Sequence, residues 1–295
     1  VSTFDDLVDE VLGNLQGYTA APDQVTALTT GIDADDTSLT VDEATYVSRG
    51  MIEIDDELMY VQSVNTNTNL LTLLPQGRGW RRTTAATHDA GATVVVNPTV
   101  PRAIVKTEIN NQINALYPNL FAIGTTEFDY DDVIQSGWEL PAAAVAVLDV
   151  RYKDTLGNWQ RVRSWEVEWS ANTTDFTSGT MLRFGGVQYG QPVRVVYAKR
   201  PTALTDGDDV FATVTGLSES ARDVVTLGTM IRLVPNMDIA RLSVQKAEAQ
   251  AIASTRQIDA GTAISRDLQR RYAIRLSEER KALNMQYPAR IHFGR

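Results

Sequence analysis

The sequence predicts an α+β protein: a helical bundle with two small antiparallel β domains, inserted or appended, then a long C-terminal helix and an extended arm. Three observations lead there. Apolar residues fall at helical spacing near both ends of the chain. Two middle stretches are instead cut into short apolar runs bounded by Gly, Asn, Asp or Pro. From Met237 to about Met285 there is almost no helix breaker except Gly261, and Ala, Gln, Arg, Glu and Leu dominate. The expected division has residues 1–23 and 99–126 as N-terminal helices of a helical core. Residues 24–98 form an inserted β module and 127–204 a second small β domain. Residues 205–286 return as C-terminal helices of the core, and 287–295 form the arm.

Each element has a local reason. Phe4, Leu7, Val8, Val11, Leu12 and Leu15 make one apolar stripe, with Ser2 and Asp5 as a cap pair and Gly17 as a stop. The stretch "GMIEIDDELMYVQSV" reads as two strands about a turn at Asp55-Asp56-Glu57. Pro101 opens a second helix, with Val105, Ile109, Ile113 and Leu116 on one side, expected to pack on the first. "WELP", "NWQRVRSWEVEW", "TMLRFGG" and "QPVRVVYAKRP" supply the second sheet, with strict alternation in Arg161–Trp165. Trp138, Trp159, Trp165 and Trp169 are expected mainly as its buried anchors. Ser218 opens a helix expected to end at Pro235. In the long run that follows, Ile264, Leu268, Tyr272 and Leu276 are too sparse for a monomer core. They fit a helix that packs partly on neighbouring copies. Beyond it, "YPARIHFGR" carries Tyr287, Ile291 and Phe293 without helical phase, beside Arg290, His292 and Arg295. A disordered tail rarely spends such residues. The end therefore reads as a peptide arm that awaits a groove.

Composition bounds the chemistry. The 295 residues are 43% hydrophobic and carry a net charge of −10, enough for two or three domains with real cores. The absence of cysteine excludes disulfides, thiolate metal sites and a cysteine nucleophile. The acidic amphipathic start does not read as a signal peptide, and no apolar run is long enough to span a membrane. Charge is uneven: residues 256–295 hold nine Arg/Lys and four Asp/Glu, while the rest holds 18 and 33. A basic end that meets an acidic partner, and a plain solvated helix face, both fit this asymmetry.

Candidate sites are few. Glu53, Asp55, Asp56 and Glu57 crowd five residues, but a calcium loop's alternating oxygens and turn glycine are missing. The expectation is a solvated hairpin turn. His88 and His292 lie in different segments, which disfavours a metal site or a triad. Gly77-Arg78-Gly79 lacks the context of a phosphate loop. Arg78, Arg81 and Arg82 around Trp80 are expected as a hairpin tip with local salt bridges. No catalytic residue, metal or cofactor is expected, and the chain is not read as an enzyme.

A resemblance sharpens this. Ile54–Glu57, Leu70–Leu74, Arg78-Gly79, the Thr-Ala-x-x-His-x-x-Gly stretch Thr84–Gly91 and Thr93–Val96 together resemble a small β module common in structural proteins of tailed bacteriophages. The order of elements, with a sheet entered by Trp138–Pro141 and left by Val193–Leu204, looks like that of the head-to-tail connector adaptors. The resemblance implies a structural virion protein at the head–tail interface, assembled in the bacterial host cytoplasm. It would form a homo-oligomeric ring, expected as a dodecamer, between the portal protein and a tail-side connector or tail tube protein. Double-stranded DNA would pass through it without specific binding, and the arm would grip the portal. A baseplate or tail-fibre attachment protein, and a carbohydrate-binding protein, are the alternatives.

Overall fold

A computed structural model describes the chain except residues 19–21, 131–136, 249–255 and 289–295, and except the side chains of 236–248 and 256–264. Among the described residues it has thirteen strands in three antiparallel sheets and five α-helices. The expected helical bundle with small β insertions does not form. Strands and their loops build two apolar clusters of their own among the described residues, beside the apolar residues that the helices bury, such as Phe4, Leu7, Ile109, Ile113, Val224 and Leu233. The chain divides into two compact units, one of Phe4–Asn111 and Val225–Arg271, the other of Val1–Thr3, Gln112–Val224 and Tyr272–Arg295.

The first unit contains helix α1 (Phe4–Gln16) and strands β1 (Gln24–Ala27), β2 (Ser38–Thr40), β3 (Gly50–Ile54), β4 (Glu57–Asn65), β5 (Leu70–Leu73) and β6 (Thr93–Val96). The strand order is β1-β6-β3-β4-β5-β2. Just past β1 and β2, Leu28 bridges Val41, with Thr29 donating to the Thr40 carbonyl and Asp42 to that of Ala27. The two edges thus meet at one bridge, which draws the sheet into a small barrel. Strand alternation sends Leu39 and Val41, Ile52 and Ile54, Met59 and Val61, Leu71 and Leu73, and Val94 and Val96 into its interior. Helix α2 (Arg102–Leu116) begins in this unit. Its first turn reaches α1: Arg102 pairs with Asp5 and Asp9, and Lys106 pairs with Asp5 and lies 5.2 Å from the Phe4 ring centroid.

The second unit carries β7 (Ala122–Asp129), β8 (Trp138–Glu139), β9 (Ala144–Lys153), β10 (Trp159–Arg161), β11 (Trp165–Glu168), β12 (Met181–Phe184) and β13 (Pro192–Lys199). They form two sheets, β10-β9-β13-β7 and β11-β12-β8. Residues 162–164 lie outside the strands, so the alternation in Arg161–Trp165 is not one strand but the junction of two. The core joins Val150, Val193, Val195 and Tyr197 from one sheet to Trp138 and Leu182 from the other. Trp138 is its aromatic centre, with ring centroids of Tyr130 and Phe184 each 4.7 Å away. Trp165 packs against this core, whereas Trp169 is 48% exposed. Ser2 does not cap a helix in the expected way; its hydroxyl donates to Glu219.

Helix α3 (Phe211–Thr215) is short and ends at Gly216, whose φ of 71° suits a residue without Cβ. Helix α4 runs Arg222–Glu248 and α5 runs Arg256–Gln286. Pro235 lies inside α4 and does not end it, and α5 passes Gly261 unbroken. No described helix is long and apolar enough to cross a membrane.

Candidate functional site

The acid-rich hairpin forms as the sequence predicts, with Asp55-Asp56 as the turn between β3 and β4. The expectation of a solvated charge cluster fails at two positions. Glu53 and Glu57 are buried, at 3% and 1% exposure. Alternation sends them to opposite faces. Glu57 shares the barrel's interior face with Met59 and Val61, so its carboxylate sits at the mouth of the apolar core. Glu53 points outward, under the start of α2.

Such a buried carboxylate needs partners, and Glu57 has a full set. Arg78 donates twice, Nε to Oε1 at 2.8 Å and Nη2 to Oε2 at 2.9 Å. The amides of Gly79 and Ala86 donate at 2.9 and 3.0 Å. His88 Nε2 lies 2.9 Å from Oε2, and its Nδ1 lies 2.8 Å from Asp55 Oδ2. A neutral imidazole donates to only one of these carboxylates; an imidazolium donates to both. Arg78 also donates to the carbonyls of Asp33, Asp36 and Ala86. Burial works to raise the Glu57 carboxyl, but Arg78, the Ala86 and Gly79 amides and His88 outweigh it and hold it at about 2. This cluster is a polar plug that ties four segments of the barrel together. Within it, Glu57, Arg78 and His88 are already committed to one another.

Glu53 has the opposite balance. Its Oε1 accepts from the Arg102 N–H at 2.7 Å, at the first residue of α2, where a helix favours negative charge. Burial nevertheless pushes this carboxyl up to about 7 against the pull of the Arg102 amide and guanidinium. Asp55, Asp56 and Asp5 join Glu53, Thr93, Val95 and Arg102 around a cavity of about 300 Å³. Lys106 and Arg102 both pair with Asp56, so this acidic patch carries its own cations. Among the described residues no group of His, Cys, Asp and Glu is arranged to hold a metal ion.

The basic knot is split. Arg78 enters the plug and pairs with Glu57, 21 residues away, rather than making the local salt bridge expected of a hairpin tip. Arg81 and Arg82 are exposed on left-handed backbone, φ 55° and 70°, beside Trp80, whose ring lies 5.0 Å from that of Tyr60. The residues expected at a subunit interface are scattered in burial. Leu268 is 2% exposed, already covered by its own chain. Tyr272 is half-buried and accepts from Gln112 at 3.1 Å; Leu276 is half-buried. The side chain of Ile264 lies outside the described residues. In the arm, Tyr287 is half-buried just past α5, and Arg290, Ile291, His292, Phe293 and Arg295 lie outside the described residues.

One constellation went unnoticed in the sequence. Asp149 is buried on β9 and accepts from Arg151 Nε at 2.7 Å and Arg161 Nε at 2.9 Å. Burial would raise its carboxyl, but the two arginines hold it below the usual carboxylate range. The signal was available: Asp149 and Arg151 are two apart and thus share a strand face, and Arg161 follows one hairpin later. No protein-family model matches the chain, and no curated protein matches it.

Proposed function

We propose that the chain is a structural virion protein, a head-to-tail adaptor of a tailed bacteriophage that joins a homo-oligomeric ring between portal and tail. One observation carries the reading. The motif residues of the phage β module do not fall at random in the fold. Glu57 of the Ile54–Glu57 hairpin, Arg78 of the Arg78-Gly79 turn and His88 of the Thr84–Gly91 stretch converge in one buried plug. The motif is thus the signature of how this barrel is held together, which suits a structural part. The net charge of −10 supports a channel wall that DNA passes without sticking, because a basic lumen would bind phosphates strongly.

In this reading α5 and its stripe meet neighbouring copies, and the arm with Tyr287, Arg290, Ile291, His292, Phe293 and Arg295 grips the portal. Deletion of Pro288–Arg295 should leave the chain folded yet abolish its attachment to portal-bearing heads, because two apolar anchors are worth on the order of 2 kcal/mol or more per copy and a ring multiplies the loss. A reconstruction of the particle that contains the chain tests the reading itself. A ring at the portal vertex is expected. Density only at a baseplate or fibre would favour another virion role, and absence from the particle would end the proposal.

A further inference from the structure

We propose that the open face of the sheet β10-β9-β13-β7 docks the acidic loops at residues 33–43 of a second copy of this chain. The proposal rests on the ring-forming reading above and names the contact that builds the ring.

Strand register carries the first half. Arg161 on β10 stands opposite Arg151 on β9, and Arg151 stands opposite Arg194 on β13. Three guanidiniums therefore form one row across three adjacent strands. Their neighbours Val150, Val193 and Val195 turn to the core, so the row faces outward. The three side chains are 45%, 48% and 38% exposed, for Arg151, Arg161 and Arg194. Like charges directly opposite one another destabilise a sheet. The fold answers only in part. Asp149 serves both Arg151 and Arg161, and Glu127 pairs with Arg194, whose guanidinium also lies 4.1 Å from the Trp159 ring centroid. Asp149 and Glu127 thus face three guanidiniums; farther along the same face Lys153, opposite Trp159, adds a cation and Asp129, two residues from Glu127, a carboxylate, so the cations still outnumber the acids by one. The arginines are laid along the sheet by these contacts before any partner arrives, which lowers the cost of docking.

The second half is the chain's own charge. Residues 1–48 contain ten Asp and Glu and no Lys or Arg. Five of these acids, Asp33, Asp35, Asp36, Asp42 and Glu43, are exposed on the loops either side of β2. Those loops are fixed: the Asp33 N–H donates to Asp36, the Thr29 hydroxyl to Asp42 and the Thr45 N–H to Glu43. A basic row meeting a different, acidic patch is a heterologous contact, the type that generates rings. An arginine row also suits phosphates, but a chain of net charge −10 repels a duplex.

Two charge-reversed full-length variants test this: Arg151→Glu with Arg194→Glu, and Asp35→Lys with Asp36→Lys. Sedimentation velocity at low salt, where the Debye length is about 30 Å at roughly 0.01 M, should show concentration-dependent association of the wild type. Each variant alone should associate at least about tenfold more weakly. Their equimolar mixture should recover wild-type association, because each reversed row then meets a reversed loop. Arg151→Gln with Arg194→Gln removes charge without adding repulsion and should show the same loss if the glutamate pair does not fold. Variants that associate like the wild type, a mixture no better than its parts, or a wild type with no association would each overturn the proposal. So would loss of duplex retention on a filter by the arginine variants with self-association intact, which would make nucleic acid the occupant. Portal-vertex rings formed equally by all variants would sink this contact and leave the adaptor reading standing. Absence from the vertex, with the variants behaving as expected, would sink only the adaptor reading.

Discussion

Glu57 and Glu53 lie four residues apart and respond to acid in opposite ways. Removing the Glu57 charge leaves Arg78 buried without its counter-charge. Glu57→Gln should therefore destabilise the barrel by about 3–5 kcal/mol. Asp55, whose side chain is 66% exposed, contributes little by comparison, and Asp55→Asn should cost under about 1 kcal/mol. Urea unfolding of the two variants checks the contrast; equal midpoints would return the acids to the solvated turn first expected. The pH dependence follows from the same pair. Glu57 is held at about 2 in the fold against an ordinary 4.5. Its contribution is complete above pH 4.5 and is lost as pH falls towards 2. Glu53 is raised to about 7, so the fold binds its proton more tightly than the unfolded chain. That advantage is complete below pH 4.5 and is lost as pH rises through 7, a loss of roughly 3 kcal/mol at 1.36 kcal/mol per unit. Glu53→Gln keeps an oxygen for the Arg102 N–H and removes the charge. It should raise the melting temperature at pH 8 and have little effect at pH 5. A shift of the same size at both values would rule out titration of Glu53 as the cause.

At the scale of elements, local pattern was enough wherever a run's own alternation or periodicity fixed its state. The stripe from Phe4 to Leu15, the β3–β4 hairpin and the second helix from Arg102 all follow that way. What failed was long-range. Barrel closure depends on Leu28 meeting Val41, and the burial of Glu57 depends on Arg78 and His88, 21 and 31 residues away. A carboxylate beside a turn reads as solvated until such partners are known. Pro235 lies inside α4 rather than at its end because proline penalises a helix without forbidding it inside a long one. Two glycines show how context decides. Gly124 on β7 stands opposite Tyr197, and an added Cβ would sit 2.3 Å from the tyrosine ring. Gly124→Ala should therefore cost about 1–3 kcal/mol. Gly13 is exposed inside α1, with nothing within 4 Å of an added Cβ. Gly13→Ala should instead stabilise by up to about 1 kcal/mol. Thermal unfolding of both variants checks the opposite signs.

For the whole molecule, the helical bundle was expected because helical periodicity is easy to see, whereas the area that short strands bury together is not. The long C-terminal helices have few apolar residues to give. Leu268 is already covered, and Tyr272 and Leu276 are half-buried, while Ile274 is 49% exposed. The described part of α5 therefore offers a neighbour little apolar area, and a net charge of −10 opposes close approach of copies. Weak pairwise contacts close a ring only when many form together, and a template that already has the symmetry supplies the missing effective concentration. The purified chain should consequently be monomeric or weakly associated when dilute, and should form a ring only when its portal is added. Mass photometry of the chain alone and with portal checks this. A stable ring from the chain alone in dilute solution would contradict template dependence, because it would require a buried area per contact that the described residues of α5 do not provide.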